Sequence, residues 1–286
     1  MRILYSYIPC YNEEGNISAL LDLWISERQR LKESGFELRV VPIDDKSKDS
    51  TLMLIREAEK VNDCIEVIAH EYNQNLCGGL NSAINHFLKN GQDGDIMSFM
   101  DGDNTHKPIY IHDMIKKLQK GFDCVIASRY QEGSMINGVP KNREFLSDSA
   151  KQYYSIVLNV PNVKDYTCGY RIYTYAAVKK AKSMFGDKLI TMKSFACMME
   201  LLYKLHKSGA KFGEIPFTLY YDNKVGNSSM RIIKTMTTSL FGAIKLRFDR
   251  CKKNINKDTD NAEPSLFIQE GVTTGHGASH ADEGTV

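Results

Sequence analysis

The order of apolar segments in the first half of the chain constrains the fold most strongly. Segments of strand length, with continuous apolar character, alternate with segments of helical period. The predicted strands cover 2–8, 36–44, 65–69, 95–101 and 122–128, and the predicted helices cover 16–32, 49–61, 78–90 and a segment that begins near Pro108. This alternation predicts an α/β fold with a mostly parallel central sheet and helices on both faces.

Beyond Ser128 the pattern changes to loops, a helix near 143–158 and short mixed segments. We interpret 1–128 and 129–229 as two halves of one domain, the second half forming a lid or platform on the sheet. Residues 254–286 are rich in Gly, Ser, Thr, His and acidic residues, which predicts a disordered tail.

Residues 230–253 carry seven Lys or Arg against one Asp, which predicts a basic amphipathic helix. Its apolar residues at helical spacing are Ile233, Met236, Leu240, Ile244 and Phe248. Two interpretations stay open: a helix that lies on an anionic membrane surface, and a core-packing helix with a solvated basic face.

Composition excludes several classes of function. A formal net charge of +2, without basic runs that alternate with aromatic residues, argues against nucleic-acid binding. Seven cysteines without a C-x-x-C pair argue against a disulfide framework or a zinc knuckle and favour a reducing cytosol. Neither a signal peptide nor an uninterrupted apolar run of spanning length is evident, so we expect neither a secretory leader nor a membrane span.

Acidic residues follow three of the predicted strands: Glu13, the pair Asp44 and Asp45, and the pair Asp101 and Asp103. Ligands of open α/β sheets bind at the carboxyl ends of the strands. Two carboxylates about 4 Å apart repel by roughly 4 kcal/mol at an effective dielectric near 20, and Mg²⁺ or Mn²⁺ completed by phosphate oxygens removes that cost. The alternative is that these aspartates cap helices and form turns.

Two further Asp-x-Asp pairs lie elsewhere. Asp93 and Asp95 precede a predicted strand, at the opposite pole of the sheet, and Asp258 and Asp260 belong to the tail. We expect both pairs to lie in solvated turns.

Eight segments resemble, in order, the motifs of family 2 glycosyltransferases with the GT-A fold. They read IPCYNEEGNI, PIDDKSKDST, NQNLCGGLNSAI, FMDGDNTHKP, IASRYQEG, NREFLS, DYTCGYRIY and EIPFTLYYDNKVGNSS. Within that family, they are most similar to dolichol-phosphate mannose synthase and related polyprenol-phosphate glycosyltransferases. The resemblance runs from about Ile3 to Met230.

The resemblance implies roles for the donor side. It assigns the base and ribose of a nucleotide sugar to Pro9, Tyr11, Glu13 and Asp45. Asp101 would face the ribose and diphosphate, and Asp103 would be the main metal ligand. Thr105 stands where some members supply a second metal ligand through Gln, so its hydroxyl, or a water that it holds, would serve.

On the acceptor side, Arg129, Arg143 and Ser147 match the groups that hold a lipid phosphate, and guanidinium groups bind phosphate bidentately. The alternatives are a structural ion pair for Arg129 and an exposed helix position for Arg143. Lys224 belongs to a loop that closes over the diphosphate; because Ser229 stands where the family has Lys, Lys224 is expected to serve instead.

Other positions have two interpretations or a structural one. Asp165, in the segment that also carries Gly169 and Arg171, either lines the site or pairs with an arginine. Glu200 lies in an apolar helix and should pair with a cation. We interpret Gly78 and Gly79 as a closely packed helix start, and His106 as a loop residue.

The resemblance implies transfer of a hexose, with inversion, from GDP-mannose or a UDP-hexose to a polyprenyl phosphate at the cytoplasmic membrane face. An anionic phosphate needs positioning more than deprotonation, in keeping with the arginines. A saccharide acceptor, with Asp165 or Glu200 as general base, is the first alternative. A non-catalytic nucleotide-sugar-binding protein is the second.

Overall fold

The computed structural model describes residues 1–138, 141–193, 196–220 and 232–248, with the side chains of 137, 141–147 and 232–238 outside the description. All of these residues belong to one compact unit, Met1–Lys253. Lys224, Ser229, the Asp258 pair and the predicted tail lie outside the described residues, as do the side chains of Arg143 and Ser147.

Strands and helices alternate along the described chain. The strands are β1 Arg2–Cys10, β2 Phe36–Asp44, β3 Ile68–Ala69, β4 Ile96–Phe99, β5 Cys124–Ser128, β6 Met135–Asn137, β7 Arg171–Thr174, β8 Phe212–Pro216 and β9 Thr218–Tyr220. The helices are α1 Ile17–Ser26, α2 Arg28–Glu33, α3 Thr51–Val61, α4 Asn75–Asn90, α5 Ile111–Leu118, α6 Lys141–Leu158, α7 Tyr175–Phe185, α8 Ala196–Lys207 and α9 Ile232–Phe248.

Within the described residues, seven strands form the central sheet in the order β3-β2-β1-β4-β7-β5-β8. Strand β7 is antiparallel to both of its neighbours and the other pairings are parallel, which confirms the predicted mostly parallel sheet. Strands β6 and β9 form a separate parallel pair. The helix α1 buries Ile17, Leu20, Leu21 and Trp24, and each such burial contributes about 1.5–3 kcal/mol.

Two predicted elements differ from the structure. The helix predicted over 16–32 is two helices, because the chain tightens at Glu27, whose amide donates to the Trp24 carbonyl at 3.1 Å. The Glu27 carboxylate accepts a hydrogen bond from His112 Nε2 at 2.8 Å. The third strand is shorter than predicted, with one isolated bridge between Ile65 and Val40 ahead of it.

The second half of the chain contributes β7 and β8 to the central sheet, which the sequence pattern did not predict. Strand β7 begins with Arg171, a residue that argues against a buried strand. Its side chain is fully buried because three backbone carbonyls accept from it, at 2.7–2.8 Å. A buried charge is tolerated when it is hydrogen-bonded in this way.

Asp95 corrects the expectation of a solvated turn. It is 1% exposed, and its carboxylate accepts the Ile3 amide at 2.7 Å and the Gln92 amide at 2.9 Å. Asp93, two residues earlier, is exposed as expected. The second aspartate of the upstream Asp-Gly-Asp therefore stabilises the loop at the edge of the sheet opposite to the carboxyl edge.

Helix α9 is buried on one side and exposed on the other. Among its described side chains, Ala243 and Leu246 are buried, whereas Ile244 is 43% exposed and Phe248 is 78% exposed. The predicted apolar stripe thus faces outward in part, because α6 and α8 pack against the opposite side of the helix. Over the described ranges, no helix combines the length and the apolar character needed to cross a bilayer.

Candidate functional site

The loops at the carboxyl edge of the sheet have a shared backbone feature. Asn12, Lys46, Asn75 and Asn104 all have left-handed conformations, with φ between 57° and 62°. They follow β1, β2, β3 and β4, respectively. Asparagine tolerates this region better than most residues, and such conformations cluster at functional sites. The carboxyl edge is therefore where local geometry departs from the regular sheet.

Hydrogen bonds connect the loop after β1 to the loop after β2. The Asn12 amide donates to Ser47 Oγ at 3.0 Å, and the Glu13 amide donates to Thr51 Oγ1 at 2.8 Å. The Glu13 carboxylate accepts the Asn16 side-chain amide at 2.7 Å. The two loops form one platform, on which Pro9 and Tyr11 are half-buried. The donor roles of Pro9, Tyr11 and Glu13 stay predictions.

Asp45 organises the loop that leads into α4. Its carboxylate accepts the His70 Nδ1 group at 2.8 Å and the amides of Gln74 and Asn75 at 2.7 Å each. Asp45 is 6% exposed. These contacts are those of an aspartate that stabilises a turn, which is the structural alternative for Asp45. A direct contact of Asp45 with a nucleotide stays a prediction.

A polar cavity of about 430 Å³ opens beside this loop and α4. Its lining includes Tyr72, Gln74, Cys77, Asn81 and Lys193. The volume lies within the range of small-molecule sites. Amide side chains of the NQNLCGGLNS segment line part of the cavity.

The loop after β4 is tightly enclosed by its neighbours. A Cβ atom on Gly102 would lie 2.9 Å from the Pro9 carbonyl oxygen, and one on Gly169 would lie 2.6 Å from Asp101 Oδ2. The Pro9 carbonyl is backbone and cannot easily move, so position 102 requires glycine. At position 169 a Cβ atom would instead displace the Asp101 side chain. The Asp101 carboxylate thus lies against the Gly169 segment, and its role toward a ribose and diphosphate stays a prediction. A Cβ atom on Gly79 in α4 would likewise lie only 3.3 Å from the Pro9 Cβ, which agrees with a closely packed helix start.

Asp103 and Thr105 form a local turn. Asp103 Oδ1 accepts the Thr105 hydroxyl at 2.7 Å and the Thr105 amide at 3.3 Å. The Thr105 hydroxyl also lies 3.1 Å from His106 Nδ1, and His106 Nε2 lies 3.6 Å from the Cys168 sulfur. Burial lowers the pKa of His106 to about 4 and raises the pKa of the Cys168 thiol to about 12, so both are neutral at pH 7. His106 is in a loop, as expected, but it is buried behind the site.

Arg129 and Asp165 form a buried ion pair. Arg129 Nε and Nη2 donate to the two Asp165 oxygens at 2.8 and 2.7 Å, and Nη2 also donates to Thr167 Oγ1 at 2.6 Å. Burial opposes the charge of Asp165, but the Arg129 guanidinium and the backbone amides that donate to the carboxylate together outweigh it and lower the pKa of that carboxyl to about 2. The structural alternative for Arg129 is therefore present, and its role toward an acceptor phosphate stays a prediction.

Sequence reasoning missed Glu214 as a support of this segment. Its carboxylate accepts the amides of Lys164 at 2.7 Å and Asp165 at 2.8 Å, and the Gln131 side-chain amide at 2.7 Å. The available signal was an acidic residue inside a short apolar segment, FGEIPF. Glu214 fixes the position from which Asp165 holds Arg129.

Glu200 pairs with a cation, as predicted. Lys204, one helical turn later, donates to its carboxylate at 2.5 Å. The Thr191 hydroxyl, the Thr191 amide and the Met192 amide also donate to it, each at 2.7 Å. Glu200 therefore anchors the 191–192 turn to α8.

The donor set for a metal is small. Among the described residues, no group of three or more His, Cys, Asp or Glu side chains is arranged to hold an ion. Asp101 and Asp103 are half-buried carboxylates on one loop. Hard oxygen ligands of this kind suit Mg²⁺ or Mn²⁺ when substrate phosphates and water complete the coordination, so the residues fit such an ion.

Sequence relatives resemble this chain over most of its length. It is 25% identical over 249 residues to a polyprenol monophosphomannose synthase of Mycolicibacterium smegmatis, covering 86% of this chain and 88% of the relative. It is 30% identical over 212 residues to a dolichol-phosphate mannosyltransferase of Pyrococcus furiosus, covering 74% of this chain and 54% of that protein.

Solved structures share the fold. Glucosyl-3-phosphoglycerate synthase from Mycobacterium tuberculosis, in complex with Mn²⁺ and UDP-glucose, superposes with a TM-score of 0.60 at 14% identity. The match covers 86% of this chain and 79% of that chain, which confirms the GT-A fold. The family described as Glycosyl transferase family 2 matches residues 7–182, more than half of the sequence. The chain therefore belongs to glycosyl transferase family 2.

Proposed function

We propose that this glycosyltransferase moves a hexose from a nucleotide sugar, GDP-mannose or a UDP-hexose, to the phosphate of a polyprenol. The transfer inverts the anomeric carbon and uses Mg²⁺ or Mn²⁺. The names of the two sequence relatives, a polyprenol monophosphomannose synthase and a dolichol-phosphate mannosyltransferase, support this acceptor. They also make mannose the first sugar to test.

The observation that carries the choice of acceptor is the state of the two candidate general bases. Asp165 is 0% exposed and bound to Arg129, and Glu200 is 1% exposed and bound to Lys204. A sugar hydroxyl needs a base within reach whose pKa lies near the working pH, whereas the pKa of Asp165 is about 2. A phosphate is already anionic at pH 7. Because both carboxylates are already held in ion pairs, neither is available as a general base, which favours a phosphate acceptor over a saccharide.

On the donor side, Asp101 would face the ribose and diphosphate, and Asp103 would hold the metal. Bound there, the cation would stabilise the charge that develops on the departing nucleoside diphosphate. The Thr105 hydroxyl donates a hydrogen bond to Asp103. We therefore propose that Thr105 orients that carboxylate and does not bind the ion directly. Pro9, Tyr11 and Glu13 would contact the nucleoside.

On the acceptor side, Arg129, Arg143 and Ser147 would bind the lipid phosphate, and Lys224 would reach the diphosphate. Arg129 is held in one orientation by Asp165, and 17% of its side chain is exposed. A guanidinium held in this way loses little conformational freedom when it binds an anion. Positioning of an anionic nucleophile, with no proton to remove, is the contribution that these residues supply.

A radiolabel assay tests the acceptor. The protein is incubated with GDP-[¹⁴C]mannose or UDP-[¹⁴C]glucose, Mn²⁺ and a polyprenyl phosphate, and the label is followed into an organic-extractable, acid-labile product. Asp103→Ala should abolish the transfer. Asp93→Ala is the matched control, because it changes the first aspartate of the other Asp-Gly-Asp, at the opposite pole. Label that moves only to an added saccharide would refute the lipid-phosphate acceptor.

The outward face of α9 supports a peripheral position at the cytoplasmic membrane face. Phe241 is 74% exposed and Phe248 is 78% exposed, and both Lys245 and Arg247 nearby are exposed. Apolar side chains flanked by cations suit an anionic lipid surface, to which each cation adds about 1 kcal/mol.

Vesicle co-sedimentation tests this position with the full-length protein. Phe241→Ser combined with Phe248→Ser should weaken binding to vesicles that contain anionic lipid. Val61→Ser is the control, since Val61 is 80% exposed at the end of α3. Equal binding by the double variant and the wild type would reject the membrane contact.

A further inference from the structure

A row of buried polar side chains runs behind the Asp-Gly-Asp loop. It begins at Cys168, passes through His106 and Thr105, and ends at Asp103, with successive separations of 3.6, 3.1 and 2.7 Å. Cys168 and Thr105 are 4% exposed, and His106 is 6% exposed. Solvent is therefore excluded from these three residues, and their hydrogen bonds depend on each other.

The direction of the hydrogen bonds follows from the chemistry of the groups. A carboxylate only accepts, so the single proton of the Thr105 hydroxyl is donated to Asp103. The Thr105 oxygen then presents a lone pair to His106, and Nδ1 must carry the N–H. A neutral imidazole has one N–H, so Nε2 accepts from the Cys168 thiol.

Aromatic packing holds the imidazole in this orientation. The ring of Phe217 stacks on His106 with centroids 5.2 Å apart and an interplanar angle of 15°. The ring of Tyr170 contacts it edge-on, with centroids 6.0 Å apart. Tilting the imidazole plane would disturb both contacts. Of the two flipped positions that share this plane, the one that places Nδ1 beside Thr105 and Nε2 beside Cys168 makes both hydrogen bonds.

We propose that His106 is a positioning residue for sugar transfer: its Nδ1–H, fixed by the Cys168 thiol at Nε2, keeps the Thr105 hydroxyl directed at Asp103. The oriented carboxylate is then ready to receive the divalent cation of the nucleotide sugar complex. This inference rests on the metal-assisted function proposed above. It adds a role for a histidine that the sequence motif alone presents as a loop residue.

The segment 165–169, which contains Cys168, would also fix the position of the acceptor-binding groups relative to the donor-binding groups. Cys168 fixes the row that ends at Asp103, Gly169 lies against Asp101, and Asp165 holds Arg129. The segment 165–169 thereby contacts groups assigned to both substrates. A displacement of this segment would move both sets of groups together.

The first test is the tautomer of His106 in the wild-type protein. Nitrogen-15 chemical shifts distinguish an Nδ1–H from an Nε2–H imidazole, and the signals are assigned by their loss in His106→Asn. We expect the Nδ1–H tautomer at pH 7. An Nε2–H tautomer would overturn the proposal, whatever the metal dependence of transfer.

The second test is Mn²⁺ affinity, measured by electron paramagnetic resonance with GDP or UDP present. His106→Asn places an amide nitrogen near the Nδ1 position and keeps the donor to Thr105, whereas His106→Gln places its amide near Nε2. Both variants lose the stacked ring, and their thermal unfolding without ligands is the matched control. Loss of such an outer contact weakens metal binding by about 10–100-fold. We expect His106→Gln to bind Mn²⁺ about tenfold more weakly than His106→Asn.

The outcomes separate this inference from the proposed function. A wild-type protein that binds no Mn²⁺ with either diphosphate overturns the metal-assisted function, and with it the role of His106. Mn²⁺ binding by the wild type, with equal affinity in the two variants, overturns the role of His106 alone. Weaker binding only in His106→Gln supports the proposal.

Discussion

Replacing Asp165 by Asn should destabilise the protein and change its response to acid. The pKa of Asp165 lies at about 2, below its ordinary value of 3.8, and this difference corresponds to about 2 kcal/mol of stability. The variant also leaves the Arg129 guanidinium without its anionic partner, and breaking a buried ion pair in this way costs about 3–5 kcal/mol. We expect a loss of about 3 kcal/mol in the free energy of unfolding at pH 7, which is about 6 °C in Tm for a domain of this size.

The sign of the pH dependence follows from the lowered pKa. In the wild type, the contribution of Asp165 is complete above about pH 4 and is lost as the pH falls through about 2. Asp165→Asn lacks that acid-dependent component. Urea unfolding at several pH values measures both effects. Asp187→Asn is the control, because the ion pair of Asp187 with Lys182 is at the surface and should contribute nothing measurable. Unchanged stability of Asp165→Asn at pH 7 would refute the assignment of a stabilising buried pair.

Three further predictions concern single contacts. Gly169→Ala places a Cβ 2.6 Å from the Asp101 carboxylate, so kcat/KM for transfer should fall about 100-fold while Tm changes little; an unchanged kcat/KM would contradict the close approach. Asp95→Ala removes the acceptor of two backbone amides and should lower the free energy of unfolding by about 2 kcal/mol in urea, with transfer unaffected. Glu200→Gln should cost about 3 kcal/mol of stability yet keep kcat within about twofold of wild type, whereas a loss of more than about 100-fold would identify Glu200 as a general base.

The sequence by itself determined most of the alternating strands and helices in the first half of the chain and the edge of the sheet at which the candidate site lies. The apolar period of β2 predicted its bounds at 36–44, and the strand between the two Asp-Gly-Asp pairs placed Asp101 and Asp103 at the carboxyl edge. Both inferences depend on neighbours within a few residues, because strand and helix periods are local properties. The ordered motifs identified the family for the same reason.

Only the tertiary structure decided which polar groups meet. Arg129 and Asp165 are 36 residues apart, Cys168 and His106 are 62 apart, and the Asp165 amide reaches Glu214 across 49. It likewise showed which side of α9 is buried. These contacts arise because antiparallel β7 inserts between β4 and β5 and brings the 165–169 segment to the carboxyl edge. A local apolar period carries no information on which distant strand enters the sheet. The residue type alone does not show whether a carboxylate is paired with an arginine.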